Sequence, residues 1–326
     1  DLGLSSAQPL IVLSGNDLNH ALLTLAAMHV GIPIGTVSVA YSKGRKDYSK
    51  LTAILDGFDP GCIFVSHGHD FAPSLLSVKP DCPIIVGQDP EAIPGSIHID
   101  QLYNTEETPA VMDAFNALTE ESHARYLLTS GSTGEPKVVV NTHKMLCSNQ
   151  QMIVQCWRFL ESRKPRVLDW LPWSHTFGAN HNFNLVLRNG GSFYIDDGLP
   201  MPGRIERTIE NIKYVRPSMF FNVPRGYDVL LPFLEKDPEL ADALLADLDA
   251  LFYAAAALPQ NTWDRIHKVA KTVRDTPLFF TSEWGATETT PVLTNVHFRL
   301  EKPGNLGLPV PGIEIKFVPS GDKLEM

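Results

Sequence analysis

Short apolar runs alternate with stretches of helical period along almost the whole chain, and this alternation limits the possible folds most. Residues 10–13, 63–65, 84–86, 167–168, 192–195, 219–221, 251–253 and 278–280 read as strands. Between the first two, Leu18, Ala21, Leu22, Leu25 and Ala26 recur at helical spacing up to Gly31, a natural C-terminal cap. Ile205, Ile209 and Ile212 repeat the pattern later. Strands alternating with helices imply an α/β chain whose sheets are mostly parallel and covered on both faces. Residues 21–40 are apolar enough to suggest a membrane span. His29, Gly31, Pro33 and Gly35 interrupt them, so they read as a buried helix followed by a strand. A Pro/Gly-rich passage, 303–312, precedes a last expected strand at 313–318.

Ligands in such folds gather beyond the carboxyl ends of strands. One loop there has the chemistry of an anion site: Thr129, Ser130, Gly131, Ser132, Thr133, Gly134, Glu135, Pro136 and Lys137, flanked by apolar 126–128 and 138–140. Glycines permit the curl that turns backbone N–H groups inward, and lysine adds a point charge suited to phosphate. The plainer alternative is a polar hairpin loop. The P-loop pattern is excluded, because Pro136 precedes the lysine and Val138 follows it. With only Gly131 and Gly134, the Rossmann fingerprint is unsupported as well.

The 326 residues, 44% hydrophobic and 20% charged, suffice for two domains or one large α/β domain with subdomains. A net charge of -10, with no Lys/Arg block, argues against a nucleic-acid or anionic-membrane surface. Cys62, Cys82, Cys147 and Cys156 form no C-x-x-C pair and read as buried or half-buried free thiols of a reducing, cytoplasmic protein. The first residues lack the basic start of a signal peptide.

Three further motifs follow the loop in order: Asp169 to Gly178, containing Trp173, Ser174, His175, Thr176 and Phe177; Tyr253 to Pro259, containing Ala255, Ala256 and Ala257; and Glu283, Trp284, Gly285, Ala286, Thr287, Glu288 and Thr289. Together the four resemble the adenylate-forming acyl-CoA synthetase superfamily. Asn141 to Met152, His181-Asn182-Phe183, Tyr194 to Gly198 and Phe221 to Tyr227 resemble the feruloyl-CoA synthase family within it. The resemblance implies two stacked, mostly parallel sheets with helices between and outside. It divides the chain into 1–160 with the phosphate loop, 161–300 with the acyl and adenine pocket, and 301–326 as the start of a β subdomain. It also implies ATP, Mg2+ and CoA as co-substrates and cofactor, and a small aromatic carboxylic acid, ferulate or a related hydroxycinnamate, as the acid activated.

By the same resemblance, the loop residues with Lys137 hold the β- and γ-phosphates, and Glu288 binds the metal. Thr287 contacts phosphate, and Ala255–Ala257, Trp284 and Gly285 adjoin the nucleotide. His175 stands near the reacting carboxylate, with Phe177, Asn180, Ala257 and Trp284 about the acyl group. Thr176 stands where relatives that activate amino acids usually place Asp. An unpaired buried ammonium would be costly there, so amino-acid substrates are disfavoured. Asn180, Asn182 and Asn222 are candidates for a phenol hydroxyl. Val138, Ala255 and Ala257 replace glycines common in the superfamily, and Ser174 replaces an Asn frequent among feruloyl-CoA synthases. Both ends look cut, so these residues alone are expected to adenylate weakly or not at all. The rival readings are an adenylate-forming enzyme with another acid or acceptor, a non-catalytic nucleotide- or acyl-binding module, and a metal hydrolase prompted by His67, His69 and Asp70. For that last stretch an exposed turn is the simpler account.

Overall fold

The computed structural model describes residues 2, 4–130, 136–320 and 323–325, the side chains of 130, 320 and 323–325 excepted. The chain forms two compact units: Asp1–Leu146 with Pro172–Ala179, and Cys147–Leu171 with Asn180–Met326. A short segment from beyond residue 146 thus belongs to the first unit.

The first unit is built on a seven-stranded sheet of β1 (Leu10–Val12), β2 (Ile34–Thr36), β3 (Cys62–His67), β4 (Ile84–Gln88), β5 (Ile97–His98), β6 (His123–Ser130) and β7 (Pro136–Thr142). The order is β5-β4-β3-β1-β2-β6-β7; all neighbours are parallel except the final antiparallel pair β6–β7. Alternate residues explain why the strand runs are apolar throughout. Ile11, Leu13, Ile63 and Val65 enter one core cluster, and Leu10, Val12, Cys62 and Phe64 enter another. Each such side chain contributes about 1.5–3 kcal/mol of burial.

Helix Leu18–His29 ends as its sequence indicates. Gly31 takes a left-handed φ of 75°, and the Ile32 N–H reaches back to the Ala27 carbonyl at 2.8 Å. The helix is not a buried one, however: Leu18, Leu22 and Leu25 are exposed. Residues 66–70 are not a turn either, since β3 runs to His67 and helix Gly68–Val78 begins at once, with Asp70 ion-paired to Lys43 at 2.8 Å.

The second unit carries β8 (Arg166–Asp169), β9 (Ser192–Ile195), β10 (Met219–Asn222), β11 (Ala250–Tyr253), β12 (Phe280–Gly285), β13 (Val292–Asn295) and β14 (Leu308–Pro309) in the order β14-β13-β12-β11-β10-β8-β9. From β9 to β12 the sheet is parallel, and β13 and β14 are antiparallel. Phe220, Leu251, Tyr253 and Phe280 pack with the helices of one face, where Trp263 stacks on Phe280 at 4.9 Å.

Two strands differ from the sequence reading. The run at 278–280 meets β12 only at Phe280, from which the strand continues through polar residues to Gly285. The expected strand at 313–318 is instead β15, Val318–Ser320, because only there does the chain find a partner, β16 (Lys323–Glu325). β14 joins the second sheet through β13, while β15 and β16 form a two-stranded sheet of their own. Among the described residues no helix is long and apolar enough to cross a membrane.

Candidate functional site

In the first unit, β6 and β7 form a long antiparallel ladder that brings Thr129 opposite Lys137 and Ser130 opposite Pro136 at the carboxyl end of β6. Lys137 is exposed there. Gly131, Ser132, Thr133 and Gly134, assigned to phosphate by sequence, lie outside the described residues, as does Glu135. The hairpin thus holds the described flanks of the loop at a strand end, where an α/β sheet places its ligands.

The segment 172–179 belongs to the same unit and is held by the turn after β1. Asn16 Oδ1 accepts the Trp173 N–H at 2.9 Å, and the His20 ring lies edge-on to the Trp173 indole, centroids 4.9 Å apart. His20 is buried, with Nδ1 3.0 Å from the Gly15 carbonyl, and burial pushes its pKa down to about 4, so it anchors the segment as a neutral ring. Two residues after Trp173, His175 is exposed, and its Nδ1 accepts the Phe177 N–H at 3.2 Å. A ring that accepts at Nδ1 carries its proton on Nε2. Desolvation by the surrounding protein lowers the pKa of His175, which favours this neutral, donor-bearing form. Phe177 is buried at the start of a π-helical turn, Phe177–Phe183.

In the second unit two motifs leave the sheet side by side, because β11 and β12 are neighbours with Tyr253 opposite Ser282. Ala255, Ala256 and Ala257 follow β11 and are exposed. Ala255 has a φ of 72°, a left-handed conformation that suits glycine better than alanine. Trp284, half-buried, and Gly285 close β12. A Cβ on Gly285 would meet the Pro291 carbonyl oxygen at 1.7 Å, so only glycine lets the two backbones approach here. Thr287 is buried and Glu288 exposed in the 3-10 turn Thr287–Thr289, where Glu288 joins no ion pair among the described residues. An exposed, unpaired carboxylate is the donor type that a hard divalent cation requires.

Several side chains that support these motifs were given no role by the sequence. Asn149 donates to the Thr289 and Val292 carbonyls, at 3.3 and 2.9 Å, and accepts the Val292 N–H at 3.2 Å. It therefore staples the chain just beyond Glu288. Asp169, at the end of β8, is fully buried; burial pushes its pKa up to about 7 against the pull of hydrogen bonds from Asn182 and Leu171. His181 and Glu283 form a buried ion pair at 2.8 Å. Burial opposes a charge on His181, yet the Glu283 carboxylate, helped by Asn182 and Asp169, holds its pKa above the ordinary value.

Two of the three asparagines considered for a phenol hydroxyl have other duties. Asn182 bonds Asp169 and His181, and Asn222 Oδ1 accepts the Val223 N–H at 2.9 Å. Asn180 is buried, and its carbonyl accepts from Gln150 at 2.8 Å. The thiols also differ in part: Cys147 is exposed, while Cys62 is buried and Cys82 and Cys156 are half-buried. Among the described residues, His69 gathers with Asp89 and Glu91, not with His67 and Asp70 as a hydrolase motif would require.

The comparisons with known proteins agree with one another. The profile of the AMP-binding enzyme family matches residues 1–325. A long-chain-fatty-acid–CoA ligase of Bacillus subtilis (strain 168) is 27% identical over 187 residues, which are 57% of this chain and 31% of that protein. A malonate–CoA ligase of Arabidopsis thaliana is 25% identical over 215 residues, 59% of this chain and 32% of that protein. The crystal structure of the anthranilate CoA ligase AuaEII in complex with anthranoyl-AMP superposes with a TM-score of 0.74 at 19% identity, covering 98% of this chain and 58% of that one. The chain spans about a third of the length of the curated relatives it matches. Two mostly parallel sheets and a profile match over residues 1–325 place the chain in the AMP-binding enzyme family.

Proposed function

We propose that the protein is an AMP-forming acid–CoA ligase. A carboxylate attacks the α-phosphate of ATP, releasing pyrophosphate and giving an acyl-adenylate; the thiol of CoA then displaces AMP and leaves the thioester. The observation that carries this reading is the profile match over residues 1–325, which takes in every motif described above.

Each motif has a part in that chemistry. Lys137 and the hydroxyls of the β6–β7 loop hold the phosphates as pyrophosphate departs, a fixed electrostatic environment of the kind that supplies much of many enzymes' rate enhancement. Glu288 is an oxygen ligand for Mg2+, which neutralises phosphate charge when bound. Trp284 offers a flat apolar face to the adenine. His175 presents an Nε2–H that can hydrogen-bond an oxygen of the reacting acid. The exposed alanines after β11 border the nucleotide and acyl group.

For the acid we propose an aromatic carboxylate, ferulate or a related hydroxycinnamate. The support is Thr176 beside His175 in place of an acidic partner for an amine, together with the stretches that resemble feruloyl-CoA synthases. Names among the relatives point to aliphatic acids, malonate and long-chain fatty acids, whereas a structural neighbour holds an aromatic adenylate. Incubating the full-length protein with Mg-ATP, CoA and a panel of ferulate, anthranilate, malonate and a long-chain fatty acid decides, with thioester read by mass spectrometry. Highest kcat/KM for ferulate supports the reading. Preference for malonate or a fatty acid would overturn the aromatic assignment alone, and no thioester from any acid would overturn CoA ligation.

A further inference from the structure

Five polar side chains with no part in the chemistry above form one continuous buried chain in the second unit. Asp169 Oδ1 accepts the Leu171 N–H at 2.9 Å, and its Oδ2 accepts Asn182 Nδ2 at 2.7 Å. This orients the Asn182 amide so that its Oδ1 faces His181 Nδ1, 2.8 Å away, and Nδ1 must carry a proton. The other ring nitrogen, Nε2, lies 2.8 Å from Glu283 Oε2. Glu283 Oε1 in turn accepts from Asn295 Nδ2. The imidazole is stacked on Phe252 at 5.2 Å and met edge-on by Phe221 and Trp157.

Packing energy does not account for such an arrangement, because apolar residues of similar volume often stabilise a core as well as a buried ion pair or better. What a polar chain supplies is fixed geometry, and here the geometry matters at one place. Glu283 faces Asn295 across β12 and β13, and the register shifts one step later, between Trp284 and Gly285. A bulge of this kind re-aims the side chains beside it. The Glu283–Asn295 bond pins the register immediately before the bulge, and the strand end beyond it carries Trp284, Thr287 and Glu288. At its other end the chain is fixed to the last residue of β8.

We propose that Asp169, Asn182, His181, Glu283 and Asn295 act as a positioning relay that ties the end of β8 to the bulged end of β12 and so sets where Trp284 and Glu288 stand. They are positioning residues, and the inference rests on the ligase reading for what Trp284 and Glu288 contact. Two measurements on the full-length protein test it: acid-dependent ATP–pyrophosphate exchange, and equilibrium binding of AMP followed by tryptophan fluorescence. Glu283→Ala is expected to raise KM for Mg-ATP and the Kd for AMP about tenfold and to lower kcat by a similar factor, with KM for the acid little changed. Glu283→Gln, which keeps the shape and the bond to Asn295, is expected to restore most of both. Should Glu283→Ala fail to fold, Asn295→Ala leaves the ion pair in place and is expected to show the same split in milder form. Unchanged nucleotide parameters in a folded variant would overturn the relay, and so would a loss that merely tracks the unfolded fraction. A wild type that binds AMP but exchanges no pyrophosphate with any acid would instead sink the ligase reading, while the AMP affinities still decide the relay.

Discussion

At Ala255 the backbone is left-handed although the residue is not glycine. Its φ of 72° places an alanine methyl in a region where L-residues lose about 1–2 kcal/mol relative to the right-handed conformation. By the family resemblance, Ala255 replaces a glycine common in the superfamily. The structure adds a backbone consequence, since this chain keeps the left-handed turn without the residue that makes it easy. Ala255→Gly is therefore expected to stabilise the protein by about 1 kcal/mol, although the freer unfolded glycine offsets part of the gain. Thermal unfolding checks it: a rise of about 2 °C is expected, and a fall would mean that the methyl packs usefully.

At the scale of elements, the turn after β12 depends on a side chain from a different part of the sequence. Asn149 contributes three hydrogen bonds to the segment 289–292. Asn149→Ala leaves those backbone groups partly unpaired and should cost about 1–3 kcal/mol, with a matching loss of metal-dependent nucleotide binding. Urea unfolding at fixed Mg2+, together with ATP affinity, measures both.

Asp169 makes a pH-dependent contribution to stability. Its folded pKa of about 7 lies above the unfolded value of 3.8, so between these limits the native state holds a proton that the unfolded chain has released. Its contribution thus favours folding least at the upper end, and stability from this group falls as pH rises from about 4 to 7. His181, also raised, acts in the same direction at higher pH: its stabilisation is complete below 6.5 and is lost as pH rises through the folded value. The wild type's stability advantage over Asp169→Asn should therefore shrink between pH 4 and 7 in thermal unfolding. An advantage that grows would contradict the assignment.

These elements also mark what could be read from the sequence. Parallel strands buried on both faces are continuous apolar runs, so β3, β4, β10 and β11 were legible. β12 was not, since Thr281, Ser282 and Glu283 look solvated yet are buried by hydrogen bonds, such as Thr281 to the Val296 carbonyl at 2.5 Å. Trp284 and Glu288 could be singled out as candidates because their motif is local. Asn149 could not, because its partners lie 140 and 143 residues further along.

The whole chain, over residues 1–325, belongs to the AMP-binding enzyme family, and its motifs carry the proposed reaction. Fold resemblance to adenylate-bound structures at about a fifth identity supports the architecture alone. The proposed reaction rests on the groups at the strand ends. Lys137 is a surface side chain whose removal should change stability by no more than about 0.5 kcal/mol. Acid-dependent exchange of labelled pyrophosphate into ATP, run on the full-length protein and on Lys137→Ala, tests the central claim directly. Exchange that requires Mg2+ and a carboxylic acid, and that falls about a hundredfold or more in the variant at unchanged stability, is the predicted result. Exchange absent from the wild type with every acid, or undiminished in the variant, would contradict it.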